Sequence, residues 1–277
     1  MLIILRWSLI VAVMATGCWS AQHPSSTDHQ LQESAVTNTR HQPIENDNDD
    51  PENSRQMAQD EPHWLNARRH MVERQIRARD IRDESVLDAI LRVPRHQFVP
   101  AAYREAAYDD SPLPIGHDQT ISQPYIVALM TEAVRPRAGQ RALDIGTGCG
   151  YQAAVLAELV DQVYSIEIVK PLAEESARRL RNMGYRNIEV RHGDGYQGWP
   201  EQAPFDVIIV AAAPDHVPEP LIEQLAEGGR LVIPVGAHYQ QLLLIEKLED
   251  GKTRKTTLAP VAFVPMTGEA QQNSRDK

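Results

Sequence analysis

Apolar positions follow four successive rhythms along this chain. Residues 1–21 open on a nearly unbroken apolar run, interrupted by Arg6 and closing on the small residues Ala15-Thr16-Gly17 before Cys18. That is the layout of a secretory apolar core with a cleavage edge. Cys18 after Gly17 also resembles a lipoprotein box, with Ala15 where Leu is usual. An uncleaved anchor and a start codon placed too early remain open, because about 17 apolar-leaning residues sit at the short limit for crossing a bilayer. Residues 22–63 hold no Phe, Trp or Tyr, four prolines and scattered aliphatics. Such a stretch buries too little apolar surface to offset its chain entropy, so a disordered acidic linker is expected.

From Trp64 the period becomes helical. Leu65, Met71, Val72 and Ile76 share one face, and Arg68, Arg69, Arg74, Arg77 and Arg79 occupy the solvated one. Asp83 is placed to cap a second helix with Val86, Leu87, Ile90 and Leu91 as its buried stripe and Pro94 as its stop. Tyr125–Thr131 predicts a third. After Pro136 short apolar runs alternate with helices. Strands are expected over Arg141–Ile145, Val163–Ile166, Ile188–Val190, Val207–Val210, Leu231–Ile233, Leu242–Ile245 and Val261–Val264. Helices are expected over Tyr151–Leu159, Leu172–Met183 and Pro220–Leu225, the last ending at Gly228-Gly229. The pattern predicts an α/β fold: a doubly wound, mostly parallel seven-stranded, Rossmann-like sheet with an N-terminal helical extension. The domain covers 64–277, with the helical part at 64–135 and the ligand-binding core at 136–268. Ligands of such sheets bind at the carboxyl ends of the strands.

Composition narrows the function. The chain has 277 residues, with 28 Lys and Arg against 38 Asp and Glu. Nine of those acids lie in residues 22–63 beside only Arg40 and Arg55, which leaves the domain mildly acidic. Duplex nucleic acid is therefore a poor partner, since its binding relies on clustered cations. The two cysteines, Cys18 and Cys149, make neither a disulfide framework nor a zinc cluster. The acidic run at 47–50 is read as a solvated tail.

Candidate chemistry starts at the turn after the first core strand, Asp144-Ile-Gly146-Thr147-Gly148-Cys149-Gly150. A dinucleotide site of the G-x-G-x-x-G kind needs glycine at 151, where Tyr151 stands. Glu167 ends the second strand, placed to accept hydrogen bonds from ribose hydroxyls. Asp194, beside Gly195, ends the third, where an adenine would lie. An acid, a glycine turn and two further acids on consecutive strand ends suit a nucleoside bearing a positive sulfonium, S-adenosylmethionine. Thr147 in the turn and Ile168 after Glu167 are counted among its contacts.

Other segments carry a family likeness: Val93–Pro100, Leu113–Gly116, Gln119–Tyr125, Leu143–Gln152, Gly193–Gly195, Ala203–Asp206 and Phe263–Pro265. With them the chain, from about Met71 to Thr267, resembles the protein-L-isoaspartate O-methyltransferases. Thr120-Ile121-Ser122-Gln123-Pro124 is the most specific part. The resemblance implies methyl transfer to the free carboxylate of L-isoaspartyl (and D-aspartyl) residues in damaged proteins, the ester then collapsing to a succinimide that reopens as aspartate. It implies that Ser122 is the active-site residue, that Thr120, Ile121 and Gln123 touch the cofactor, and that Thr267 lies nearby. From the residues alone the helix N-cap is the favoured reading of Ser122, and the resemblance reverses that order. Ala211, Ala212 and Pro214 after the fourth strand offer a small-residue surface for the acceptor backbone, and Ile115 is counted with them among the substrate contacts. Departures from the family pattern are His117-Asp118 before Gln119, Cys149 for Ser, and Ala211-Ala212 for Thr-Ala.

The implied reaction needs neither metal nor nucleophile, because a carboxylate is already ionised at neutral pH. Accordingly the ten histidines make no H-x-x-x-H pair, and no G-x-S-x-G elbow is present. Two alternatives stand beside this reading: a noncatalytic cofactor-binding adaptor, and a methyltransferase for another acceptor. The N-P-P-Y signature of amino-nitrogen acceptors is missing after the fourth strand, where Ala211-Ala-Ala-Pro214 stands. Because S-adenosylmethionine is made in the cytosol, a cytoplasmic enzyme is expected, and the modest size of the domain makes a monomer the default. Membrane or envelope contact would follow only if residues 1–21 act as an anchor or signal.

Overall fold

A computed structural model describes residues 62–270. The signal or anchor reading of 1–21, and the linker reading as far as residue 61, lie outside the described residues. Helix α1 (62–70) begins two residues before Trp64 and passes into a wide π turn, Met71–Ile76, and a 3-10 turn, Arg77–Arg79. Met71, Val72 and Ile76 are buried, as their spacing predicts, whereas Leu65 is half-buried and Arg68, expected on the solvated face, is buried and donates to the Arg92 carbonyl at 3.2 Å. Asp83 caps helix α2 (Glu84–Arg92), its side chain accepting from the amides of Ser85 at 2.9 Å and Val86 at 3.3 Å. Val86, Leu87 and Ile90 are buried, while Leu91 is half-buried at the side.

Strands β1 (Leu113–Gly116) and β2 (Gln119–Ile121) form an antiparallel pair. The sequence reading places no strand here, and Pro114 within β1 gives a physical reason why the run is hard to recognise. The pair is a separate two-stranded sheet, in which Pro114 has no central neighbour to disappoint. His117 (φ 53°) and Asp118 (φ 57°) make its turn in the left-handed region. Helix α3 (Pro124–Val134) follows directly.

The main sheet comprises β3 (Arg141–Ile145), β4 (Gln162–Glu167), β5 (Ile188–His192), β6 (Phe205–Val210), β7 (Leu225–Val235), β8 (Gln240–Lys247) and β9 (Thr253–Val261). Their spatial order is β5-β4-β3-β6-β7-β8-β9. All neighbours pair in parallel except β8, which is antiparallel to both β7 and β9. The expected doubly wound, mostly parallel seven-stranded sheet is thus present. Helices α4 (Tyr151–Ala157), α5 (Lys170–Asn182) and the short α6 (Glu219–Glu223) make the crossovers.

Successive residues of the central strands serve two cores, as a sheet covered on both faces requires. Val207 and Ile209 pack with Met130, Val134 and Leu156, whereas Ile208 and Val210 pack with Trp199, Leu221 and Met266. The chain winds outward from β3 through β4 to β5, then returns to β6 on the other side. The switch point therefore falls between β3 and β6, which opens a crevice at their carboxyl ends.

Two expectations from the apolar pattern are corrected. β7 begins at Leu225 and runs through Gly228-Gly229, so the preceding helix is shorter than expected and those glycines sit in the strand. A Cβ on Gly229 would lie 2.8 Å from the Ala226 carbonyl oxygen, which explains glycine in that bend. The last strand is Thr253–Val261 rather than Val261–Val264, because β9 is an exposed edge with a polar face that hides its period. Residues 263–267 instead run past the strand ends, where an isolated parallel bridge joins Pro265 to Ala213.

Candidate active site

The glycine turn after β3 is built from backbone conformations that side chains resist. Gly146, Gly148 and Gly150 have φ values of 87°, 53° and 92°, all left-handed. The turn is tied to β4 by the amides of Gly146 and Thr147, both donating to the Ile166 carbonyl, at 2.9 and 3.2 Å. The Gly148 amide donates to Glu167 Oε2 at 2.7 Å, and the Val169 amide to Glu167 Oε1 at 2.9 Å. Glu167 is buried, so these two bonds fix its carboxylate at the rim of the turn.

Beneath the turn runs a chain of side-chain hydrogen bonds. Ser165 donates to Asp144 Oδ2 at 2.7 Å, and the Thr147 hydroxyl lies 2.6 Å from Ser165 Oγ. Asp144 is wholly buried and its Oδ1 has no hydrogen-bond partner among the described residues. Burial pushes its carboxyl up to about 7, against which the Ser165 hydrogen bond pulls down, with the Glu167 charge adding to the rise.

One cavity unites the two motifs that the sequence separates. Thr120, Ile121 and Ser122 line it from β2 and the entry to α3, and Gly146, Thr147 and Gly148 from the turn. Glu167 and Ile168 follow β4, Gly195 follows β5, and Ala211 and Ala212 follow β6. Thr267 closes the far wall together with Val264, Pro265 and Met266. Ser122 does not cap α3: Gln123 is the N-cap residue there and makes no side-chain cap bond. The Ser122 hydroxyl has no hydrogen-bond partner among the described residues.

Other expected site residues stand behind the wall. Asp144 acts on the cavity only through Ser165 and Thr147. Gly150 is the left-handed N-cap residue of α4, and a Cβ there would press on Leu180 at 3.1 Å. Asp194 accepts from the Tyr196 amide at 2.9 Å and the Glu269 amide at 2.8 Å, fastening the 195–197 turn to the C-terminal segment. Gln123 donates to the Asp110 carbonyl at 3.1 Å. Ile115 packs beneath Gly148, where a Cβ would meet its Cδ1 at 3.1 Å. Pro214 uses its carbonyl to hold the Gly236 amide at 2.9 Å.

Several lining residues are absent from the sequence-based set. Tyr151 and Gln152 lie in the Cys-Gly-Tyr-Gln run and Gln119 begins the Thr-Ile-Ser segment, so their motif was visible without their role. Val127 and Met130 face the cavity from the first turns of α3 and carry no signal beyond helical spacing. Among the described residues no cluster of three or more His, Cys, Asp or Glu could hold a metal. None of their helices is long and apolar enough to cross a membrane.

Glycines that let backbone approach a ligand, a buried strand-end acid and a cavity at the switch point fit an adenosyl cofactor. A Cβ at Gly195 would drive into Ile145 Cγ2 at 2.3 Å, so the floor there admits only glycine. Fold and site together define the class of S-adenosylmethionine-dependent methyltransferases. Residues 66–271 match the family model of protein-L-isoaspartate(D-aspartate) O-methyltransferase, and the chain belongs to that family. A protein-L-isoaspartate O-methyltransferase of Opitutus terrae is 60% identical over 205 residues, covering 74% of this chain and 88% of its own. That of Gloeobacter violaceus is 53% identical over 204 residues, covering 73% and 99%. Among solved structures, a Plasmodium falciparum chain described as a protein-L-isoaspartate O-methyltransferase, in complex with S-adenosyl-L-homocysteine, superposes with a TM-score of 0.63. It is 29% identical, over 72% of this chain and 98% of its own.

Proposed function

We propose that this chain transfers the methyl group of S-adenosyl-L-methionine to the free carboxylate of L-isoaspartyl and D-aspartyl residues in damaged proteins, initiating their repair through a succinimide. The observation that carries the reading is the meeting, in one cavity, of the glycine turn with Thr120-Ile121-Ser122. The cofactor supplies a methyl group already activated on a sulfonium. The protein has to bind it, exclude water and hold the acceptor in line, and positioning of this kind contributes roughly 7–11 kcal/mol in model systems. Gly146, Thr147, Gly148 and Gly195 hold the cofactor through close backbone approach, and Glu167 presents its carboxylate to the ribose. Thr120, Ile121, Ile168 and Thr267 complete that wall. Asp144, Gly150, Asp194 and Gln123 are positioning residues, because their side chains or backbone hold the lining segments in place.

Ser122 orients the acceptor. With no cap to make, its hydroxyl is available to donate to an acceptor carboxylate. Ala211 and Ala212 leave room for the substrate backbone alongside. No base is required, since the acceptor is ionised at neutral pH. Ser122→Ala should lower kcat by roughly 10- to 100-fold, the worth of one charge-assisted hydrogen bond, with cofactor affinity unchanged. The test is label transfer from S-adenosylmethionine to an isoaspartyl peptide and its aspartyl twin, with methanol release in mild base marking the ester. Cofactor binding without transfer to either peptide would return the function to an adaptor or another acceptor.

The same reading places the enzyme in the cytoplasm, where its cofactor is made, as a monomer. Fractionation that finds the mature chain wholly in the envelope, starting at Cys18 or Trp19, would refute the location. Sedimentation at twice the chain mass would refute the monomer.

A further inference from the structure

We infer that Tyr239 forms a subsite for an apolar or aromatic side chain of the substrate polypeptide, a few residues from the one that is methylated; the inference rests on the function proposed above. Tyr239 is 94% exposed, whereas the other exposed large hydrophobic residues among those described, Tyr103, Ile168 and Leu248, are at 36–38%. Single exposed apolar residues are ordinary on protein surfaces. The position of this one is what distinguishes it.

Tyr239 ends the turn between β7 and β8, at the carboxyl end of β7 and so on the edge of the sheet where the cavity opens. Both walls of the acceptor side are fastened to that turn. Its Gly236 amide donates to the Pro214 carbonyl at 2.9 Å, two residues from Ala212 of the cavity lining. On its other flank, the Gln240 side chain accepts from the Phe263 amide at 2.6 Å and donates to the Phe263 carbonyl at 3.0 Å, one residue from Val264 of the lining. The walls are in turn bonded to each other, the Ala213 amide to the Val264 carbonyl at 2.9 Å and the Met266 amide to the Ala213 carbonyl at 2.8 Å. The turn that carries Tyr239 and the cavity walls thus belong to one hydrogen-bonded unit.

The turn also has a defined shape. Gly236 has φ 131°, and a Cβ there would lie 2.2 Å from the Tyr239 carbonyl oxygen, so the turn closes tightly on its own backbone. The ring projects into solvent from a short loop whose backbone is closed on itself. A polypeptide leaving the cavity in extended form advances about 3.4 Å per residue, so a scan of positions on either side of the methylated residue samples this rim. A tyrosine face offers a rigid apolar contact at small entropic cost, which is why such residues are enriched where proteins grip peptides. The ring lies away from the reacting atoms, so its contribution belongs in KM and not in kcat.

The test uses the full chain and a set of isoaspartyl peptides in an alanine background, each with one Trp placed two to four residues before or after the isoaspartyl. In the wild type, Trp at one or more of these positions should raise kcat/KM about fivefold over the all-alanine peptide, through KM, which corresponds to about 1 kcal/mol. Tyr239→Ala should abolish that preference, and Tyr239→Phe should retain it. A wild type indifferent to Trp at every position overturns the subsite, as does a Tyr239→Ala enzyme that keeps the preference. Equal loss on all peptides, together with weakened cofactor binding by calorimetry, makes the turn a merely structural element and also overturns it. A wild type that methylates none of the peptides refutes the parent function, an outcome distinct from methylation without preference.

Discussion

Asp144 shows how a side chain can matter to a cavity that it does not touch. As an acid on a strand end it was legible in the sequence, but the sequence suggested a ligand contact and the fold makes it a buried prop under Ser165 and Thr147. Its burial has a thermodynamic consequence. A carboxyl raised from 3.8 to about 7 keeps its proton in the folded chain over a range where the unfolded chain has released it. The stability it confers is full below about pH 4 and falls as the pH rises, levelling above about 7. At 1.36 kcal/mol per unit the fall amounts to about 4 kcal/mol at most. Asp144→Asn should remove this slope, so the stability gap between variant and wild type in urea should widen in the variant's favour from pH 4 to pH 7. A gap that stays constant across this range would show that Asp144 is not protonated in the folded state. Ser122 is the opposite case: its segment was recognisable, but its residues alone favoured a helix cap, a position that the fold gives to Gln123.

At the level of elements, the glycine turn carries the most constraint per residue. Gly148 combines a left-handed backbone with a Cβ site 3.1 Å from Ile115 Cδ1, and its amide holds Glu167. Gly148→Ala should therefore weaken S-adenosylmethionine binding at least tenfold and cost about 1 kcal/mol or more of stability, as alanine at positive φ does. Calorimetric titration and urea unfolding read the two effects separately, and cofactor affinity unchanged within twofold would refute the cradle. The parallel strands were legible because they are continuously apolar and bounded by helices. The β1–β2 pair and β9 were not, because two prolines disguise the first and a polar outer face disguises the second. Local pattern reports burial, of which β9 has little, while the buried positions of β1–β2 are too few and too close to a proline to announce a strand.

For the molecule as a whole, the described residues 62–270 contain every part of the proposed site, and the family match spans 66–271. A chain beginning at residue 62 should then match the full chain in kcat/KM within about twofold, by the usual near-neutrality of changes remote from a site. A loss beyond tenfold, with the shortened chain still folded by circular dichroism, would give residues 1–61 a part in catalysis. The order of elements, the two-faced sheet and the glycine turn were determined by the sequence itself, because periodicity and the need for positive φ are local properties. Tertiary structure decided which of the motif residues face the cavity and which brace it. It also brought residues 119–122, 146–148, 211–212 and 264–267 to one crevice. That grouping depends on strand order and on the switch point between β3 and β6. Both are set by how the two apolar faces of the sheet are covered, which no short stretch of sequence contains.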